Sequence, residues 1–195
     1  MKSIILILIF FFSIITYGQN TIVYDKDSNS VQSKFRTDGK KEELITRNKQ
    51  WKAHGPYKMW DKNEVLIKDH IFDNDNYLQE IEYWGENGKM KKKWMYQKTA
   101  QGTEPIGLCR SWYKDGTLKG ERKYEPGNGG RNFVYDKDYY ENGKLKKEEY
   151  RDKNDKGKVT EYYESGKKKS EVIMQGRKVI EGTMWDEGGN ITKKK

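Results

Sequence analysis

An all-β fold is predicted for this chain: an elongated antiparallel meander of stacked β-hairpin repeats forming a twisted open sheet. Three observations point there. Turn-forming pairs recur at a nearly constant spacing, a ring or large apolar residue stands four positions ahead of each, and no stretch shows the period of an amphipathic helix.

The turn pairs are Asp38-Gly39, Asn87-Gly88, Asp115-Gly116, Asn142-Gly143, Ser165-Gly166 and Gly188-Gly189, with Lys62-Asn63 in the remaining slot. Counting Asn63 with the glycines, successive spacings are 24, 25, 28, 27, 23 and 23 residues, a repeat of about seven units. Four residues before each marker stand Phe35, Met59, Trp84, Trp112, Tyr139, Tyr162 and Trp185. The rings Phe35, Trp84, Trp112, Tyr139, Tyr162 and Trp185 are the candidate repeat core. Two residues after the marker come Lys41, Val65, Met90, Leu118, Leu145, Lys168 and Ile191, so most turns are flanked by an apolar pair.

Asn-Gly and Asp-Gly between short alternating segments signal two-residue hairpin turns, because these residues tolerate the positive φ such turns need. A lone hairpin is marginal in water, so neighbouring units are expected to stack edge to edge. The longer spacings coincide with Lys98-Thr99-Ala100-Gln101-Gly102 and Pro126-Gly127-Asn128-Gly129-Gly130, which read as loops.

Composition limits the core. Hydrophobic residues make up 33% of the 195 and charged residues 35%, so a thick globular interior is not available. Tyr and Trp can bury a flat face while keeping a polar tip wet, which favours a shallow sheet. Part of the apolar share lies in the N-terminal run from Ile4 to Ile15, behind Lys2 and ahead of Gly18. This pattern predicts a signal peptide over residues 1–18, cleaved after Gly18, and hence export to the periplasm or cell exterior. The run is short of the roughly 20 residues needed to span a bilayer, and no transmembrane segment is expected after cleavage. Residues 19–32 form an arm or capping strand, and 33–195 the repeat domain.

Chemistry-bearing residues are sparse. Cys109 is the one cysteine, so no disulfide framework is available, and it reads as a small buried residue. His54 and His70 have no neighbouring Cys or spaced partner, and no metal site is expected. Asp73-Asn74-Asp75-Asn76 and Asp152-Lys153-Asn154-Asp155-Lys156-Gly157 have alternating oxygen donors, but Trp84 and Tyr163 stand where a calcium loop needs its closing acid. Glu148 and Glu149 are adjacent in a predicted strand and face opposite ways, which does not suit acid–base work. Neither Ser111 nor Ser165 has a histidine at a suggestive place, and the Gly127–Gly130 loop lacks the lysine of a phosphate cradle. No catalytic residue and no cofactor is predicted.

The recurrent polar feature is basic. Lys91, Lys119, Lys146 and Lys169 stand three residues after their markers, and Lys89, Lys144 and Lys167 one residue after. On equivalent strands these would be spaced roughly 10 Å apart along one ridge. The formal charge is +9, or +8 once Lys2 is removed with the signal. An anionic partner is expected, such as a lipid head group or another envelope ligand, or an acidic protein, and nucleic acid is not. The simpler reading of the lysines, which accounts for them without a ligand, is that they keep an open sheet soluble and its edges unpaired.

The residues Gly107, Trp112, Tyr113, Asp115, Gly116, Leu118 and Glu121 resemble the repeat of the bacterial MORN-repeat variant family, and the stretches Tyr139 to Glu148 and Gly157 to Glu171 repeat most of it. The resemblance covers about two thirds of the chain. It implies a stacked hairpin sheet used for contacts, and links to protein scaffolding, membranes and phospholipid head groups. Many bacterial relatives carry an antitoxin label. The function expected is a non-enzymatic binding or scaffolding module. The alternatives are an antitoxin-like or immunity-like protein that neutralises a cognate partner, and a hydrolase acting on the envelope.

Overall fold

Segments of four to ten residues, rich in Tyr, Val, Ile and Thr and broken by Asn, Asp and Gly, favour strands over helices. The chain, described by a computed structural model over residues 14–17, 20–24, 29–100, 102–126 and 133–195, is built only of strands within those limits. Its strands are β1 (Ile14–Tyr17), β2 (Asn20–Tyr24), β3 (Ser30–Phe35), β4 (Lys41–Arg47), β5 (Ala53–Trp60), β6 (Leu66–Asp73), β7 (Asn76–Tyr83) and β8 (Met90–Thr99). They continue as β9 (Gly102–Pro105), β10 (Gly107–Trp112), β11 (Leu118–Tyr124), β12 (Phe133–Tyr139), β13 (Leu145–Arg151), β14 (Lys156–Tyr162), β15 (Lys168–Gln175), β16 (Lys178–Trp185) and β17 (Ile191–Lys194).

Each strand pairs antiparallel with the next in the chain, giving one open meander sheet. The exception is β8, whose first half pairs with β10 through Lys92 and Lys93 while its second half pairs with β9. The predicted loop over 98–102 is therefore a hairpin: Thr99 faces Gly102, and the Gln97 amide donates to Glu104 at 2.7 Å. Alternating polar residues on both arms let this short insertion pair with itself. The predicted loop at 126–130 lies outside the described residues beyond Pro126. So does the predicted signal segment except for residues 14–17, which form β1. Of the predicted arm, residues 20–24 form β2, and Ser30 opens β3.

The thin core expected from composition is what forms. Among the described residues the buried apolar side chains are Ala53, Cys109, Tyr124 and Val159, and the repeat rings Trp112, Tyr139, Tyr162 and Trp185 are half-buried.

The repeat turns differ from the predicted two-residue type. In the Trp112 unit, Gly116 N–H donates to Tyr113 O at 3.0 Å and Tyr113 N–H to Thr117 O at 2.9 Å, which closes a three-residue loop. Gly116 alone has positive φ (94°), and Asp115 instead turns its carboxylate back to accept from Thr117 N–H at 2.8 Å. This is a type I turn followed by a left-handed residue. The predicted two-residue geometry occurs elsewhere, at Asn74 and Asp75, with φ 52° and 67°.

That geometry corrects the phase of two units. Glu64 (φ 64°), not Asn63, fills the left-handed slot of the second turn, so the strand-ending ring is Trp60, paired with Leu66, rather than Met59. In the third unit the turn holds one more residue, and Tyr83 pairs with Met90, so Trp84 opens the turn instead of closing the strand. Trp84 thus occupies the position held by Tyr113, Tyr140 and Tyr163 in later units.

Those tyrosines link the units. The hydroxyls of Tyr113, Tyr140 and Tyr163 donate to the carbonyls of Tyr139, Tyr162 and Trp185, each at 2.8 Å. Tyr140→Phe and Tyr163→Phe are each expected to lower stability by about 1 kcal/mol, and nearly additively together. Urea titration of the single and double variants measures this, and unchanged midpoints would remove the ladder from the fold's stability.

Candidate functional site

The turn edge carries the predicted lysine ridge, and a second register shift places it. Ser111 faces Gly120 while Trp112 faces Leu118, so Lys119 is an extra residue on β11, a β-bulge. The same shift makes Lys91, Lys146 and Lys169 the extra residues of β8, β13 and β15. A bulge re-aims its side chain, and here each ammonium is set over the ring that opens its own turn. Lys91 lies 5.2 Å from the Trp84 centroid, Lys119 5.6 Å from Tyr113, Lys146 5.6 Å from Tyr140 and Lys169 5.8 Å from Tyr163. Such contacts are worth about 0.5–1 kcal/mol at exposed sites and hold the stem in place.

The seven predicted lysines then divide. Lys91 pairs with Glu82 at 2.9 Å. Lys89, Lys144 and Lys167 reach across to the next turn and donate to the carbonyls of Asp115, Ser165 and Glu187 at 2.5, 3.0 and 2.9 Å. Lys119, Lys146 and Lys169 are exposed, and no described carboxylate forms an ion pair with them. They are the part of the ridge with charge to offer.

One face of the sheet carries a second constellation that sequence reasoning did not find. Tyr57, His70, Glu80 and Trp94 stand opposite one another across β5 to β8. Tyr57 and His70 lie 5.6 Å apart, His70 and Tyr77 5.4 Å, and Trp94 contacts both Tyr96 and Tyr124 at 6.3 Å. The signal available was alternation in Tyr57, Met59 and His70, Phe72. What the sequence does not show is which strands face each other.

The same face is crossed by ion pairs. Burial opposes ionisation of Glu80, but Lys92 and the Tyr96 hydroxyl bond to it at 2.7 and 2.8 Å and hold its carboxyl below the usual range. Arg122 pairs with Asp136. Glu149 is buried, yet Arg151 at 2.6 Å and Lys147 at 3.2 Å outweigh that burial and lower its pKa. The Asp138 carboxyl is raised by partial loss of hydration against its neighbours and by the Asp136 charge, although the residue as a whole is exposed.

Catalytic arrangements do not assemble among the described residues singled out by sequence. Glu148 accepts from Tyr162 on the face opposite Glu149. Burial pushes the Cys109 thiol up, away from the thiolate a nucleophile needs. The carboxylate of Asp152 is used in closing its own turn, accepting from Asn154 and Lys156 N–H at 2.8 and 3.0 Å, and Asp155 pairs with Arg151.

An open sheet of hairpins, locked turn to turn and carrying its polar chemistry on an edge and a face, defines a hairpin-repeat protein. The model of the MORN repeat variant matches residues 105–125, 137–153 and 156–175, which take in the β10–β11 and β14–β15 hairpins and, between them, the end of β12 with its turn and β13. By these three stretches the chain carries MORN-repeat variant units. The earlier hairpins share the turn and the bulge, but Glu64 and the longer third turn break the sequence pattern. No curated protein matches the chain. A solved structure described as "Crystal Structure of TcdB2-TccC3-Cdc42" is 8% identical over 84% of this chain and 13% of its own, with a TM-score of 0.21. The MORN repeat is a binding repeat that commonly mediates protein or membrane-lipid contacts.

Proposed function

We propose that this protein is an exported, non-enzymatic binding or scaffolding module that meets an anionic partner, an envelope lipid head group or an acidic protein surface, along its turn edge. The observation that carries the reading is the row Lys119, Lys146 and Lys169. Three successive units hold an exposed ammonium over a ring, without an ion-pair partner, at the same bulge. Solubility alone needs charge somewhere on the surface and does not require each stem to be fixed at one equivalent position. The export part rests on the N-terminal pattern of Lys2, the apolar run and Gly18.

The triple variant K119A/K146A/K169A tests the ridge. Near a membrane surface each lysine contributes about 1 kcal/mol, so binding to anionic vesicles is expected to fall roughly 100-fold while the fold persists. Wild-type binding should also weaken steeply with salt. Salt-insensitive binding that the variant retains would reject the ridge. Mass spectrometry of the mature protein is expected to find Gln19 at the N-terminus, and a chain from envelope fractions that retains residues 1–18 would reject export with cleavage.

A further inference from the structure

His70 is a buried polar group whose hydrogen-bonding capacity is unused. It is 3% exposed, and neither Nδ1 nor Nε2 has a hydrogen-bond partner. Buried polar atoms normally find one, so an orphaned imidazole calls for a reason. Tyr57, Phe72 and Tyr77 enclose the ring at centroid distances of 5.6, 6.2 and 5.4 Å, which excludes water from much of it. One imidazole nitrogen lies in a group with a carboxylate oxygen from Glu80 and one from Glu82, all within 4.8 Å of one another.

The hairpin sets this grouping. Glu80 stands directly opposite His70 across β6 and β7, and Glu82, two residues on, projects from the same face. Both carboxylates already have partners of their own. Lys92 and Tyr96 bond to Oε2 of Glu80, and Lys91 pairs with Oε2 of Glu82. Outer contacts of this kind orient metal ligands.

We propose that His70, Glu80 and Glu82 form a site for one divalent cation of the zinc class, with an imidazole nitrogen, one oxygen from each carboxylate and water as ligands. An imidazole donor suits zinc and its neighbours, whereas calcium takes six to eight oxygens. Zinc bonds of about 2.0–2.2 Å require donors roughly 3.3 Å apart, and rotation of the two glutamates supplies the approach. Lys68, paired with Glu82 across the strands, and Lys91 and Lys92 oppose the cation, while the two carboxylates attract it.

Calorimetric titration of the full metal-free chain with zinc chloride tests the site. One zinc per chain is expected, with a raised melting temperature. His70→Gln abolishes both effects, and Glu82→Gln, which alters a partly exposed side chain, weakens binding at least tenfold while keeping the wild-type circular dichroism. His54→Gln, which changes the other histidine, paired with Asp73, leaves binding unchanged. Calcium chloride gives no heat of binding. Failure of wild type to bind zinc at 100 μM, zinc retained by His70→Gln, or zinc lost by His54→Gln would each overturn the assignment.

Discussion

Replacing Glu149 by glutamine is expected to destabilise the protein by about 3 kcal/mol, lowering its melting temperature by roughly 9 °C at neutral pH. The carboxylate is buried and answers two cations, Arg151 at 2.6 Å and Lys147 at 3.2 Å. The amide keeps the shape but takes the counter-charge from Lys147 and leaves Arg151 with Asp155 alone. Acid has the same effect on the wild type. The folded pKa of Glu149 lies below its ordinary value, so its stabilisation is fully present above the usual carboxylate range and is lost as pH falls through the folded value. The variant should lack that share of the acid limb. Melting curves at several pH values check both statements, and a shift below 2 °C at pH 7 would show that the trio contributes little.

Gly157→Ala is expected to cost about 2–3 kcal/mol although the backbone there is not left-handed. A Cβ on Gly157 would meet Tyr150 O at 2.8 Å and Arg151 Cγ at 3.1 Å, because β14 presses against β13 at this point. The carbonyl belongs to a paired strand and cannot step aside without loosening the ladder. Gly39→Ala is the contrast. Its added Cβ meets nothing within 4 Å, and only the strain of φ +81° remains, about 1 kcal/mol. Calorimetric melting of the two variants should rank Gly157→Ala as the more damaging. The reverse order would mean that β13 and β14 separate more readily than their register implies.

Much of the fold could be read from spacing because the features that specify it are local. Asp115-Gly116 or Asn142-Gly143 bends the chain wherever it occurs, and a ring four residues earlier marks the end of a strand. The two-residue turn expected from Asp and Asn, which tolerate positive φ, is not the one that forms. Here they instead fold their side chains back onto the N–H two residues on, leaving the left-handed residue to glycine. The second and third units depart from the expected phase because Glu64 accepts the left-handed slot without the usual signal, and because the third turn is longer by one residue.

The candidate sites were legible only in outline. Lys119, Lys146 and Lys169 share a position in the repeat, but so do Lys89, Lys144 and Lys167, and nothing in the spacing separates charge turned outward from charge tied to the next turn. His70 had no partner within metal-ligand spacing in the chain. Its carboxylates arrive from ten and twelve residues away, across a hairpin whose register shifts between Ile71 and Phe72.

The hairpin repeat, its period, the shallow core and the basic edge follow from residue order, since each depends on φ preferences and alternation over a few residues. Cross-strand partners are another matter. One inserted residue moves every contact beyond it, so the bulges of the assembled sheet set each lysine over its ring, bring Glu80 and Glu82 to His70, and surround Glu149 with its cations.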